Sequence, residues 1–289
     1  MSASAGGIVA PAGSGSTASG SGPDRATRWR RRLVEYLPAL FVFVAAIVAW
    51  ELIVGALNLQ AFVFPKPTAI LGALQANWTD SRFPLLPSAI ATLQEALVGL
   101  LIGTLAGLGV AFIAVRFVTA RGILLPLAVA ANAVPIIAFA PLINNWFGLI
   151  NPLSKSLMAA VLVFFPVMAN VLRGLVDVQP SSIELMRSYA AGDGAILRKV
   201  RIPNALPYFF TAMKVATTLS LIGAIVGEYF GGSSTVLGRM IVQSASTLKF
   251  EITWAAILLG AMTWIAFYLI VVVVERLVIP WHTTFREEL

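Results

Sequence analysis

The stretch Pro180-Ser-Ser-Ile-Glu184-Leu-Met-Arg-Ser-Tyr-Ala190-Ala-Gly-Asp-Gly194-Ala-Ile-Leu-Arg-Lys-Val200-Arg-Ile-Pro203-Asn-Ala-Leu-Pro207 separates two long apolar runs. It is too polar to cross a bilayer. Ser181, followed three residues later by Glu184, has the form of a capping box, so a short helix is expected to begin here. Gly192 and Gly194 are expected to stop it. A second short helix over residues 195–201 should end before Pro203, whose ring disfavours the helical conformation in the residue it follows. Two short helices at an angle would then lie against the ends of the flanking apolar segments.

Those segments set the fold class. The chain has 289 residues, 58% hydrophobic and 11% charged, with a mean hydropathy of +0.88. Soluble domains carry about 25% charged residues, so a chain this poor in charge is expected to be embedded in lipid. A helix needs roughly 20 apolar residues to span the hydrocarbon layer. Residues 37–57, 89–115, 122–146, 153–176, 208–230 and 253–279 each meet that length. The expectation is an all-α membrane protein with about six transmembrane helices. Pro126, Pro135 and Pro141 interrupt the third span, which should be kinked or broken because proline lacks the amide that continues the helix. Residues 1–32 read as a disordered Gly/Ser-rich tail ending in a basic cluster, Arg25, Arg28, Arg30, Arg31 and Arg32. Residues 33–289 read as one transmembrane domain.

Charge gives the orientation. The net charge is +7. In a membrane protein, basic residues concentrate in the loops on the inner side. With the N-terminus inside and six spans, 15 of the 20 Lys and Arg residues fall inside. The remaining five are Lys66, Arg82, Lys155, Arg239 and Lys249. Both termini, and the 180–207 segment, are therefore expected to be cytoplasmic, and a nucleic-acid partner is not. The chain has no cysteine and a single histidine, His282. No metal site and no catalytic centre is expected.

The 180–207 segment resembles the coupling loop of ABC-importer permeases, whose motif is Glu-Ala-Ala, three residues, Gly, nine residues, Ile-x-Leu-Pro. Glu184 matches the acidic position, and Val200 and Pro203 match the end at the right spacing. Leu185 and Met186 replace the alanines. Ala190 stands at the glycine position, followed by the small residues Ala191 and Gly192. Phe64-Pro-Lys-Pro67, Val134-Pro135 through Ala140-Pro-Leu142, Trp146-Phe-Gly148, Phe164-Phe-Pro166 and Gly227-Glu-Tyr-Phe-Gly-Gly232 are similar to the nitrate/sulfonate/taurine branch. The ending of the fifth span looks most like importers of riboflavin or hydroxymethylpyrimidine-type vitamin precursors.

The resemblance implies the type I ABC-importer fold in a bacterial inner membrane. It implies a permease homodimer, two copies of an ATPase subunit carrying ATP and Mg, and an extracytoplasmic substrate-binding protein. This chain itself has no phosphate-binding loop and no cofactor of its own. The implied cargo is a small organic solute: a vitamin or its precursor, or a sulfonate-, taurine- or nitrate-like anion. The residues Glu184, Leu185, Met186, Ala190, Ala191, Gly192, Val200 and Pro203 would couple to the ATPase. The alternative for this segment is an amphipathic interfacial helix with Glu184 serving only as its cap. Polar residues inside a membrane are costly unless they face a cavity or a partner, which makes Asn132, Asn170 and Glu228 candidates for the pathway. An ion-coupled secondary transporter would instead show inverted repeats and midplane carboxylates. An intramembrane enzyme would need a catalytic cluster.

Overall fold

A computed structural model describes residues 25–280, except 61, 63, 81, 118–121, 125, 128–129 and 131–134, and describes side chains from residue 37 onward with the exception of residue 136. The described residues are helical with no strand. They divide into two compact units, Met1–Ile53 and Val54–Leu289. Helix α1, Arg25–Ala56, begins within the segment expected as a basic tail and includes the first expected span nearly to its end.

In the second unit the order is α2 (Pro67–Ala76), α3 (Leu85–Arg116), a 3-10 turn (Ile136–Phe139), α4 (Ala140–Phe147), α5 (Pro152–Val176), α6 (Pro180–Ser188), α7 (Asp193–Ile196), a π-turn (Leu197–Arg201), α8 (Ile202–Phe230), α9 (Leu237–Ser246) and α10 (Phe250–Val278). Five helical stretches among the described residues are long and apolar enough to span a membrane: Leu37–Ala56, Leu85–Arg116, Pro152–Val176, Asp193–Phe230 and Phe250–Val278. The third expected span, 122–146, is broken. Pro135 is extended, a 3-10 turn follows, and a regular helix resumes only at Ala140 with Pro141 in its first turn. Two prolines that cannot donate to the helical ladder account for the break.

Helix α5 is the hub, with α3 and α8 packed along its length. Asn151 caps its start by accepting the Leu153 amide at 3.0 Å, and Pro152 fills the first helical position, where its missing amide costs nothing. Glycine makes the close packing possible. A Cβ on Gly103 of α3 would sit 2.5 Å from the Ala160 carbonyl, and one on Gly99 would sit 2.5 Å from the Ser156 carbonyl. The row Gly99, Gly103 and Gly107 therefore packs within one chain, against α5. On the other side, a Cβ on Gly223 of α8 would sit 2.6 Å from Ala159 Cα. The core between these helices contains Val163, Val167, Leu172, Ala111, Ala212 and Ala216, all buried. Trp264 on α10 is half-buried against a separate small cluster, Ala96, Leu221 and Ala224, and donates to Thr218 at 2.9 Å.

Candidate docking segment and buried polar cluster

The 180–207 segment folds as a hairpin, with three departures from the sequence expectation. First, α6 starts at Pro180 with Gln179 at the cap position and no side-chain capping bond. The capping box does not form, because Pro180 is preorganised for the first helical position and draws the start two residues earlier. Glu184 is exposed and makes no hydrogen bond or ion pair among the described residues. The reading of Glu184 as a mere cap is thereby lost.

Second, α6 is stopped by Ala190, not by Gly192 or Gly194. Ala190 has φ +55°. Its amide bonds the Arg187 carbonyl at 2.9 Å, and the Ala191 amide reaches back to the Met186 carbonyl at 3.1 Å. That pair of bonds is the Schellman ending, whose left-handed residue is usually glycine. The site where the family motif has glycine is thus the site that needs one. Third, there is no break before Pro203. The helix runs from α7 through the π-turn into α8. The local change of winding falls directly before Pro203, where a regular ladder would require an amide that proline lacks.

The base of the hairpin is clamped to the end of α5. Asn204 Nδ2 donates to the Gly174 and Asp177 carbonyls, both at 2.8 Å. Arg201 donates to the Leu175 carbonyl at 3.1 Å. Tyr208 donates to Asp177 Oδ2 at 2.7 Å. The tip stands free, with Leu185 58% and Tyr189 77% exposed. An open groove of about 780 Å³ runs between α6 and the start of α8, and Leu185, Met186, Val200 and Pro203 all line it. Four of the eight residues singled out for coupling therefore share one surface feature. Ala190, Ala191 and Gly192 form the turn beside it.

A second polar assembly lies at the other end of α8. Glu228 is fully buried, and its Oε2 accepts the Gly238 amide at 2.6 Å. Thr92 Oγ1 accepts the neighbouring Leu237 amide at 3.0 Å. The carboxyl groups of Glu95 and Glu228 approach one another, and the Lys155 ammonium acts electrostatically on both. Lys155 is 1% exposed. It is therefore not the solvated loop residue assumed in the charge count. It donates to the Leu149 carbonyl at 2.5 Å and to Ser154 at 2.9 Å. Asn144 joins the broken span to this assembly, donating to the Gly227 carbonyl and accepting from Ser154, each at 2.9 Å.

This geometry explains the Gly227-to-Gly232 motif. A Cβ on Gly227 would lie 3.3 Å from Lys155 Cα, and one on Gly231 would lie 2.7 Å from Leu149 Cδ2. The glycines let α8 press against the segment that carries Lys155. Sequence reasoning missed both Lys155 and Glu95 as members of this assembly. The available signal was the i, i+3 spacing of Thr92 and Glu95 on one face of α3. Asn170 is half-buried and donates to the Pro166 carbonyl one turn back at 2.8 Å. Asn132 and His282 lie outside the described residues. No group of three or more metal-ligating side chains occurs among the described residues.

Residues 99–282 match the family described as the binding-protein-dependent transport system inner membrane component. The chain belongs to that family. It is a membrane transport subunit of an ABC importer rather than an enzyme, and it resides in the inner membrane. Its relatives include a probable ABC transporter permease of Haemophilus influenzae, 30% identical over 78% of this chain and 90% of its own length. The formylaminopyrimidine transport permease of Halalkalibacterium halodurans is 28% identical over 85% of this chain and 95% of its own. The riboflavin transport system permease of Chloroflexus aurantiacus is 28% identical over 82% of this chain and 87% of its own. Membership implies an ATPase subunit and a substrate-binding protein as partners.

Proposed function

We propose that this permease works as a homodimer with two ATPase subunits, and that the α6–α7 hairpin is its docking segment on the cytoplasmic side. One observation carries the reading: an exposed apolar tip, Leu185 and Tyr189, on a hairpin whose base is clamped to the end of α5. A rigid projection with apolar anchors suits a partner's groove. ATP binding draws the ATPases together, moves the paired hairpins and turns the pathway outward; hydrolysis resets it. Glu184, Leu185, Met186, Ala190, Ala191, Gly192, Val200 and Pro203 form the contact region. Asn132 and Asn170 contribute to the pathway.

The cargo we infer is a small organic solute of the vitamin-precursor kind, in keeping with the relatives named for formylaminopyrimidine and riboflavin transport. The test is reconstitution in proteoliposomes with a phosphate-loop ATPase subunit and a binding protein, whose bound ligand identifies the solute. ATP-dependent uptake is expected. Leu185→Asp should weaken ATPase-subunit binding at least about tenfold, as loss of a buried anchor does. Uptake by this chain alone, without any ATPase, would overturn the proposal.

A further inference from the structure

Helix α8 joins two features that the sequence keeps apart. Its N-terminal end continues directly from the docking hairpin, and Glu228 stands near its C-terminal end. The helix has 29 residues, about 43 Å at 1.5 Å per residue. Beyond it the chain turns and α9 begins. The first amides of a helix have no intrahelical acceptor and carry partial positive charge. In α9 two of these amides are taken by side chains from outside the helix, Leu237 by Thr92 and Gly238 by Glu228. Glu228 is thus a capping group supplied from ten residues upstream, across a turn. A Cβ on Gly238 would fall 2.7 Å from Glu228 Cβ and 2.5 Å from the Ile225 carbonyl, so only glycine allows this approach.

We propose that Glu228 is a positioning residue for transport, fastening helix α9 to the far end of α8 so that movement begun at the docking hairpin reaches α9. Thr92 holds the second amide and ties the junction to α3. Helix α9 packs against α3, α8 and α10, so its displacement moves the bundle's mouth at the end opposite the hairpin. This inference rests on the docking reading above. It assigns Glu228 to transmission rather than to contact with the solute.

The chain has no cysteine, so single cysteines report without background. Arg187→Cys places a probe on the hairpin and Arg239→Cys one on α9; both positions are exposed. The transporter, with its ATPase subunit in lipid nanodiscs, is labelled with a maleimide, without nucleotide and with a non-hydrolysable ATP analogue. In the otherwise unmodified chain, labelling rates at both positions should change about fivefold or more, the lower end of allosteric coupling. Glu228→Leu should abolish the response at position 239 and keep it at 187. Glu228→Gln retains an acceptor oxygen for the Gly238 amide and should keep at least about half of the response. Thr92→Val is nearly isosteric; should Glu228→Leu fail to assemble, it is read in its place and should weaken the response at 239 alone. A full response at 239 in either apolar variant, or equal behaviour of Gln and Leu, overturns the inference and leaves docking intact. No response at 187 in the otherwise unmodified chain overturns docking, and the inference with it.

Discussion

Tyr208 donates to Asp177 across 31 positions of sequence, at 2.7 Å, and so ties the start of α8 to the end of α5. With Asn204 and Arg201 it forms a clasp on the Gly174, Leu175 and Asp177 carbonyls. The last carbonyls of a helix have no intrahelical partner. Here the missing partners come from the base of the hairpin, so the end of one span and the origin of the docking segment are one rigid piece.

Asn204 is the member of the clasp whose loss should cost most. Its amide serves two carbonyls, and Asn204→Ala leaves both without a protein donor. We expect a loss of about 1–3 kcal/mol, the cost of unsatisfied polar groups, read as a lower thermal midpoint in detergent. Tyr208→Phe removes one exposed bond and should cost about 1 kcal/mol or less. A larger effect from Tyr208→Phe than from Asn204→Ala would contradict this division of labour.

Ala190 holds a left-handed backbone, which costs an L-residue about 1–2 kcal/mol. Ala190→Gly should relieve about 1 kcal/mol of that. The gain is local to the hairpin, so amide exchange is the measurement. The Ala191 amide, which closes on the Met186 carbonyl, should exchange several-fold more slowly. Unchanged or faster exchange would mean that the turn is not strained.

Much of this fold was legible in the sequence because burial in lipid demands long apolar runs. Five of the expected spans, 37–57, 89–115, 153–176, 208–230 and 253–279, lie within or nearly within long apolar helices. Pro135 and Pro141 announced the broken third span. Fine structure was harder to read. Ser181 and Glu184 satisfy the capping pattern, yet Pro180 decides where α6 starts. Gly192 looked like a helix stop, yet Ala190 takes the left-handed position. Lys155 was the least readable residue, because nothing nearby in sequence shows that it is buried within electrostatic reach of Glu95 and Glu228 on two other helices. Proximity across 60 residues to Glu95 and 73 to Glu228 leaves no local pattern.

Gly192 gives a clean probe of partner contact. A Cβ there meets nothing within 4 Å, and the backbone is ordinary at φ −72° and ψ 164°. Gly192→Val should therefore change the chain's own stability by no more than about 0.5 kcal/mol. Any large loss of ATPase-subunit binding, measured by co-purification and by stimulated ATP hydrolysis, then reports a surface that lies close in the complex. Retained binding would place Gly192 outside the contact region.

The glycines of α3 should separate by position. Gly103→Ala drives a methyl to 2.5 Å from the Ala160 carbonyl and 2.8 Å from Val163 Cβ. Backbone on α5 must then shift, at a cost of about 1–3 kcal/mol. Gly109 is on the same helix, where a Cβ meets nothing within 4 Å. Gly109→Ala should be neutral or stabilising by up to about 1 kcal/mol, the helix-propensity gain. Similar midpoints for the two variants would show that α3 and α5 do not pack as closely as these distances require.

Lys214 and Glu275 join α8 to α10 through an ion pair of 2.6 Å, with side chains 26% and 10% exposed. Each charge makes the other tolerable between apolar helices. Removing one alone, as in Glu275→Leu, strands an ammonium and should cost about 3 kcal/mol, at the lower end for buried pairs because Lys214 keeps some exposure. Replacing both, Lys214→Leu with Glu275→Leu, removes the desolvation penalty along with the attraction and should recover most of that loss. A double-mutant cycle on the thermal midpoint in detergent measures the difference. If the two single losses merely add, the residues do not depend on one another, and the contact between α8 and α10 rests on apolar packing alone.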